Sequence, residues 1–103
     1  MDEKIRLLIV DDHEMVRMGL CAYIGIDESI EIIGQASDGE QACQMALTSF
    51  PDVILMDLVM EKMNGIEATA KIMKECEAKG KDIKIIILTS FIEEDKVLPA
   101  LEA

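Results

Sequence analysis

Short apolar runs alternate along the chain with amphipathic stretches of helical period. The apolar runs predict four buried strands, over residues 5–10, 30–33, 53–56 and 83–88. The amphipathic stretches predict helices over about 14–25, 38–49 and 66–78, with a last helix that begins near residue 93. Regular alternation of strand and helix predicts right-handed parallel crossovers, and therefore an α/β fold with a doubly wound parallel sheet.

The helical pattern also predicts which face of a helix is buried. The expected core stripe of the first helix is Val16, Gly19, Leu20, Tyr23 and Ile24. The expected core stripe of the third helix is Ile66, Thr69, Ala70 and Met73. The opposite side of the first helix carries Met15, Met18, Cys21 and Ala22. Because a patch of exposed apolar side chains favours contact with another protein, we expect Met15, Met18 and Ala22 to form a partner surface used in dimerisation.

Polar residues follow three of the predicted strands. Asp11 and Asp12 end the first strand, Asp57 ends the third, and Thr89 ends the fourth. In a doubly wound sheet these ends share one edge, where neighbouring strands lie about 4.8 Å apart. Three close carboxylates repel one another unless a cation neutralises them. Hard oxygen ligands favour Mg²⁺, with Mn²⁺ as the alternative.

Asp57 by itself could simply end its strand and cap the segment that follows. Beside a metal, its carboxylate can instead attack phosphorus and form an acyl phosphate, while the Thr89 hydroxyl donates to a phosphoryl oxygen. Position alone leaves a phosphorylated switch and an aspartyl-type metal-dependent phosphatase both open. The adjacent acids at 11 and 12, where such phosphatases usually have DxD, favour the switch. His13 is expected to cap the first helix or to face solvent, since the metal already has oxygen ligands.

Composition narrows the class of protein. A net charge of −11 repels phosphate backbones, so this segment is not expected to bind nucleic acid. The 3 cysteines are far apart and accompanied by 1 histidine, so they are not expected to form a cysteine-ligated zinc site, and they indicate free thiols in a reducing cytoplasm. No apolar run reaches the roughly 18 residues that a membrane span needs.

Three separate motifs resemble the receiver domain of bacterial response regulators: LLIVDDHEMVRMG, VILMDLVMEKMNGIEAT and IIILTSF. The resemblance runs from residue 5 to residue 103. Within that family the chain is most similar to NarL/FixJ-type regulators, in particular the LiaR/VraR cell-envelope-stress group. The resemblance implies a flavodoxin-like (CheY-like) sheet of strand order 2-1-3-4-5.

The resemblance also implies a role for each strand-end residue. Asp57 would accept a phosphoryl group, and Thr89 would be the switch hydroxyl. Asp11 and Asp12 would hold Mg²⁺ together with Asp57 and the backbone carbonyl of Val59. The donor would be a sensor histidine kinase, and phosphorylation would promote a homodimer. The domain would thus be a signalling switch and not an enzyme.

The C-terminal part departs from the family pattern. The family's fifth strand carries a lysine beside the phosphoryl group, whereas this chain ends inside its predicted fourth helix. We therefore expect residues 1–103 to be a C-terminally incomplete receiver that lacks the fifth strand and fifth helix. A DNA-binding helix-turn-helix domain is expected downstream. The missing lysine keeps open an inert or single-domain receiver that acts by protein contact alone.

Overall fold

The computed structural model describes residues 3–58, 60 and 63–88. The elements follow one another as β1 (Ile5–Val10), α1 (Glu14–Ile24), β2 (Ile30–Ala36), α2 (Gly39–Ser49), β3 (Val53–Asp57), α3 (Gly65–Lys79) and β4 (Lys84–Leu88). The strands pair in parallel in the order β2-β1-β3-β4, so the predicted doubly wound sheet is confirmed. The last predicted helix, near residue 93, lies outside the described residues.

Strand β2 is longer than its apolar run predicts, because it ends at Ala36 and not at Ile33. The pairing register shifts from Leu7 opposite Ile32 to Leu8 opposite Gly34, which leaves one extra residue in β2. This irregularity has the residue count of a β-bulge. Pairing continues beyond it and brings Ala36 next to Val10 at the end of β1. The apolar pattern did not predict this extension, because Gly34 and Gln35 interrupt it.

The main core fills the space between the sheet and the helices α2 and α3. The strands contribute large aliphatic side chains to it, and the helices contribute mainly small ones. Its buried members include Leu8, Val10, Ile54 and Met56 from the sheet and Ala42, Cys43, Ala46, Ala68, Ile72 and Cys76 from the helices. Small side chains let both helices lie close to the strands, which fixes the loops at the carboxyl edge of the sheet.

The predicted core stripe of α3 is wrong, because the buried residues each lie one position before a predicted one or on the neighbouring side of the helix. Ile66 and Met73 are 64% and 46% exposed, whereas Ala68, Ile72 and Cys76 are buried. Apolar residues occur on both sides of this helix, so its period fits two alternative stripes. The stripe of smaller side chains is the one that faces the sheet.

The predicted core stripe of α1 is also only partly right. Leu20 and Ile24 are half-buried as expected, but Val16 and Tyr23 are exposed, and α1 has no fully buried residue. Cys21, expected on the outer side, is half-buried. The helix packs on β1 and β2 through a narrow face, so its second apolar side stays in contact with water.

Side-chain caps begin both α2 and α3, and a glycine ends α3. The side chain of Asp38 accepts a hydrogen bond of 2.9 Å from the backbone N–H of Gln41, and Asn64 accepts one of 2.9 Å from Glu67. Gly80 has a φ of 67° and ends α3 in the left-handed conformation that glycine adopts readily. In the part of the chain described, no helix has the length and apolar character to cross a membrane.

The first residue of α3, Gly65, lies against the backbone of the strand-end acid. A Cβ at residue 65 would collide with the carbonyl oxygen of Asp57, whereas a Cβ at Gly19, inside α1, would meet no heavy atom within 4 Å. We expect Gly65→Ala to lower the free energy of unfolding by about 1–3 kcal/mol, because the backbone must shift. Gly19→Ala should raise it by about 0.5–1 kcal/mol through helix propensity. Urea titrations followed by circular dichroism measure both changes. Equal effects of the two substitutions would contradict the close contact between Gly65 and the backbone of Asp57.

Candidate functional site

Two buried carboxylates lie side by side at the carboxyl edge of the sheet. Val10 pairs with Met56, so the residues that follow them, Asp11 and Asp57, leave neighbouring strands at the same level. Asp11 is 1% exposed and Asp57 is 0% exposed. Ligand atoms of these two residues, Asp12 and His13 all lie within 4.8 Å of one another. The predicted convergence of Asp11, Asp12 and Asp57 is thus present in the structure.

The first of these acids, Asp11, is held by its neighbours from several directions. Its N–H donates to the carbonyl of Ala36 at 3.1 Å, and its Oδ1 accepts the N–H of His13 at 2.8 Å. The guanidinium of Arg17 donates to the carbonyl oxygen of Asp11 at 2.6 Å. Sequence reasoning missed Arg17, although a cation one helical turn after His13 was an available signal. The bonds to Ala36 and Arg17 hold the backbone of Asp11, and the N–H of His13 orients its carboxylate without using the second oxygen.

The side chain of His13 is exposed, as one of its two expected placements requires, and it also contacts the acids. His13 is the N-cap residue of α1 by position, but its side chain makes no capping hydrogen bond, so the first of its two expected roles is wrong, whereas the expected exposure to solvent is present. Half of the side chain is exposed, and Nδ1 lies 3.0 Å from Oδ1 of Asp11 and 2.9 Å from Oδ1 of Asp12. The hydrogen bond to Asp11 and the charge of Asp12 together hold the pKa of His13 above its ordinary value.

Met63, which lies between Asp57 and α3, rests on the start of α2. Met63 adopts a positive φ of 43°, and its sulfur lies 3.7 Å from the thiol sulfur of Cys43. A Cβ at Gly39 would collide with the carbonyl oxygen of Met63, so only glycine allows the two backbones to approach this closely. The apolar pattern gave no sign of this contact, because it depends on one loop conformation. Helix α2 therefore supports the loop next to the candidate acceptor.

Two predicted site residues, Thr89 and Val59, lie outside the described residues. The nearest described part of β4 is its last residue, Leu88, which pairs with Asp57. The carbonyl of Leu88 also accepts a hydrogen bond of 3.0 Å from the N–H of Leu58. The end of β4 is thus next to the candidate acceptor, and the roles of Thr89 and Val59 stay predictions.

The predicted partner surface lies on the outer side of α1. Met15 is 79% exposed and Met18 is 56% exposed, and Ala22 is exposed on the same helix. Cys21, which the helical pattern placed beside them, is half-buried. The three residues are therefore accessible to a partner, as a docking surface requires.

The acid cluster has the donor set that a hard divalent cation needs. Oδ2 of Asp11 and Oδ1 of Asp12 are both inaccessible to water and accept no hydrogen bond from any described residue. A buried acceptor left in that state is costly, and a bound cation would remove the cost. Because the acids supply oxygen ligands, they fit Mg²⁺.

Comparison with known proteins places residues 7–103 in the family model of the response regulator receiver domain. The transcriptional regulatory protein LiaR of Bacillus subtilis is 58% identical over 99 residues, which cover 96% of this chain and 45% of LiaR. The response regulator protein VraR of Staphylococcus aureus is 46% identical over 99 residues, or 96% of this chain and 46% of VraR. The chain thus spans less than half the length of these relatives.

Solved structures show the same architecture. One chain of the CheX-CheY-BeF3-Mg²⁺ complex from Borrelia burgdorferi superposes with a TM-score of 0.76 and 27% identity. The match covers 97% of this chain and 72% of that one. The predicted CheY-like fold is therefore confirmed for the four strands that the structure describes.

The contacts of His13 predict a measurable pH dependence. Because Asp11 and Asp12 favour its charged form, its titration midpoint should lie above 6.5 when no divalent cation is present. The chain has 1 histidine, so its ring protons can be followed by NMR without ambiguity. Asp11→Asn should lower the midpoint, and Asp12→Asn should lower it less. A wild-type midpoint at or below 6.5 would contradict the described contacts.

The sign of the linked stability change follows from the same shift. A folded-state pKa raised above the unfolded value means that protonated His13 stabilises the fold. That contribution is fully present below the unfolded pKa and is lost as pH rises through the folded pKa. For the NMR titration, Glu14→Gln is the control, because it changes an exposed residue next to His13. It should leave the titration midpoint of His13 largely unchanged.

Proposed function

Because the chain belongs to the family of response regulator receiver domains, we propose that Asp57 accepts a phosphoryl group from a sensor histidine kinase and so acts as a switch. The predicted likeness to LiaR and VraR is confirmed by the identities over 96% of the chain. The observation that carries the proposal is the buried carboxylate of Asp57, at a strand end within 4.8 Å of the acids at 11 and 12.

The acceptor chemistry requires a carboxylate oxygen that can reach phosphorus. An oxygen of Asp57 attacks the phosphorus of the phosphorylated donor, the bond from phosphorus to the donor nitrogen breaks, and an acyl phosphate forms on Asp57. Asp11 and Asp12, with Asp57 and the carbonyl of Val59, would hold Mg²⁺. When bound, Mg²⁺ would neutralise the phosphoryl oxygens and orient them in line with the attacking atom.

The other groups of the site orient the acids. Arg17 and the N–H of His13 fix Asp11, so that its second oxygen remains available to a cation. Thr89, one residue beyond the strand that pairs with Asp57, is proposed to donate its hydroxyl to the phosphoryl group.

The magnesium assignment also draws on the comparisons. The matched chain of the Borrelia burgdorferi complex belongs to an assembly that contains BeF3 and Mg²⁺. A site of the same family with carboxylate ligands at neighbouring strand ends is well suited to the same ion, and Mn²⁺ can substitute for it.

The output of the whole protein is a further part of the proposal. LiaR is a transcriptional regulatory protein, and this chain aligns with 45% of it. We propose that phosphorylation promotes a homodimer and that DNA is bound by a separate helix-turn-helix domain. We also propose that the protein works in the cytoplasm, where a sensor kinase can reach it and where its three free thiols stay reduced.

Acetyl phosphate with Mg²⁺ tests the acceptor directly. We expect intact-mass spectrometry to show one added phosphoryl group on the wild type, none on Asp57→Ala, and none on the wild type without a divalent cation. Asp82→Ala removes an exposed acid elsewhere and should be phosphorylated like the wild type.

Other outcomes of that experiment distinguish the alternatives. Release of inorganic phosphate with no stable adduct would indicate an aspartyl-type phosphatase. No adduct and no turnover would indicate an inert receiver that acts by contact alone. If Asp57→Ala still forms the adduct, another residue accepts the phosphoryl group, and the role proposed for Asp57 is contradicted.

The exposed methionines of α1 predict a change in self-association. Met15→Glu together with Met18→Glu should raise the dissociation constant of the phosphorylated dimer by at least about tenfold, because two charges must then be buried. Met73→Glu places the same charge at a 46% exposed methionine of α3 and should leave association unchanged. Sedimentation velocity measures both variants, and equal association of the double variant and the wild type would remove the proposed interface.

A further inference from the structure

The ring of His13 is the part of the acid cluster that the acceptor chemistry does not use. Its Nδ1 lies within 3.0 Å of one carboxylate oxygen from Asp11 and one from Asp12. A single nitrogen carries at most one proton, so it cannot give each of them a full linear hydrogen bond. Oδ1 of Asp12 accordingly accepts no hydrogen bond within the described part of the chain. The cluster holds more acceptors than its donors can satisfy.

The spacing of these atoms also matches a coordination sphere. Atoms that occupy neighbouring corners around an octahedral ion, with bonds of about 2.1 Å, lie about 3 Å apart. Nδ1 of His13 is 3.0 Å from Oδ1 of Asp11 and 2.9 Å from Oδ1 of Asp12. Asp57 offers a further oxygen within the same 4.8 Å group. Three carboxylates and one imidazole are therefore close enough together to be candidate ligands of one ion.

A second observation indicates a ligand at this place. Asp11 is 1% exposed, and its Oδ2 has no hydrogen-bond partner among the residues described, although Oδ1 of the same carboxylate is hydrogen-bonded. A side chain that is oriented this firmly and still leaves one oxygen unsatisfied is costly without a cation. The imidazole lies at the more exposed side of the cluster, with 51% of its side chain in contact with water.

We propose that His13 is a nitrogen ligand of this metal site, which therefore binds Co²⁺, Ni²⁺ or Zn²⁺ more tightly than Mg²⁺. Imidazole suits these later transition ions, whereas Mg²⁺ selects oxygen ligands. The ring binds through the lone pair of Nδ1, and the proton that it carries leaves to solvent. The inference rests on the proposed function, since Asp11, Asp12 and Asp57 supply the remaining ligands.

Calorimetric titration with Co²⁺ and with Mg²⁺ tests the inference. The wild type should bind Co²⁺ at least about tenfold more tightly than Mg²⁺, and His13→Gln should lose at least about tenfold in Co²⁺ affinity with little change toward Mg²⁺. Glu14→Gln removes a neighbouring exposed carboxylate and should preserve the Co²⁺ preference. Because the chain has 1 histidine, a paramagnetically shifted imidazole resonance in the Co²⁺ protein belongs to His13.

The outcomes separate this inference from the proposed function. If the wild type binds Mg²⁺ and is phosphorylated by acetyl phosphate, but His13→Gln binds Co²⁺ as tightly as the wild type, only the nitrogen ligand is refuted. Equal losses toward both ions would make His13 a positioning residue and overturn the inference. A wild type that binds neither ion would overturn both the metal site and the ligand. Absence of a shifted imidazole resonance would refute direct coordination even if the affinities differ.

Discussion

The burial of two carboxylates on adjacent strands is the constraint on which the rest of this structure depends. Asp11 and Asp57 are almost inaccessible to water, and their strands are held in register one residue before the acids. Buried charge is costly unless it is hydrogen-bonded or neutralised. The Arg17 contact, the bulged extension of β2 to Ala36 and the close approach of Gly65 all serve to hold these two groups in place.

The sheet and the convergence of the acids could be predicted because both follow from continuous patterns. A buried parallel strand is apolar throughout, so Asp11 and Asp57 mark the ends of theirs, and topology then brings those ends together. The faces of α1 and α3 could not be predicted in the same way, because apolar residues lie on two sides of each helix. The ring position of His13 also escaped prediction, since its side chain turns back to the acids instead of capping the helix.

Helix α1 connects the chemistry of the site to its outer surface. It begins directly after the acid pair, its Arg17 binds the backbone of Asp11, and Met15 and Met18 extend outward from the same two turns. Because a helix is stiff over such a length, a change at its first turn also moves its exposed residues. The proposed phosphorylation and the proposed dimer would therefore share one rigid element, with no need for a long path between them.

Because Gly39 contacts the backbone of Met63, the segment around Met63 and the start of α2 would have to be exchanged together in a chimeric protein. The loop cannot be transplanted from a relative by itself, because its backbone fits only where residue 39 lacks a side chain. A chimera would have to carry both segments, although they are far apart in the sequence. Relatives in which the backbone at position 63 approaches α2 as closely should therefore keep glycine at position 39.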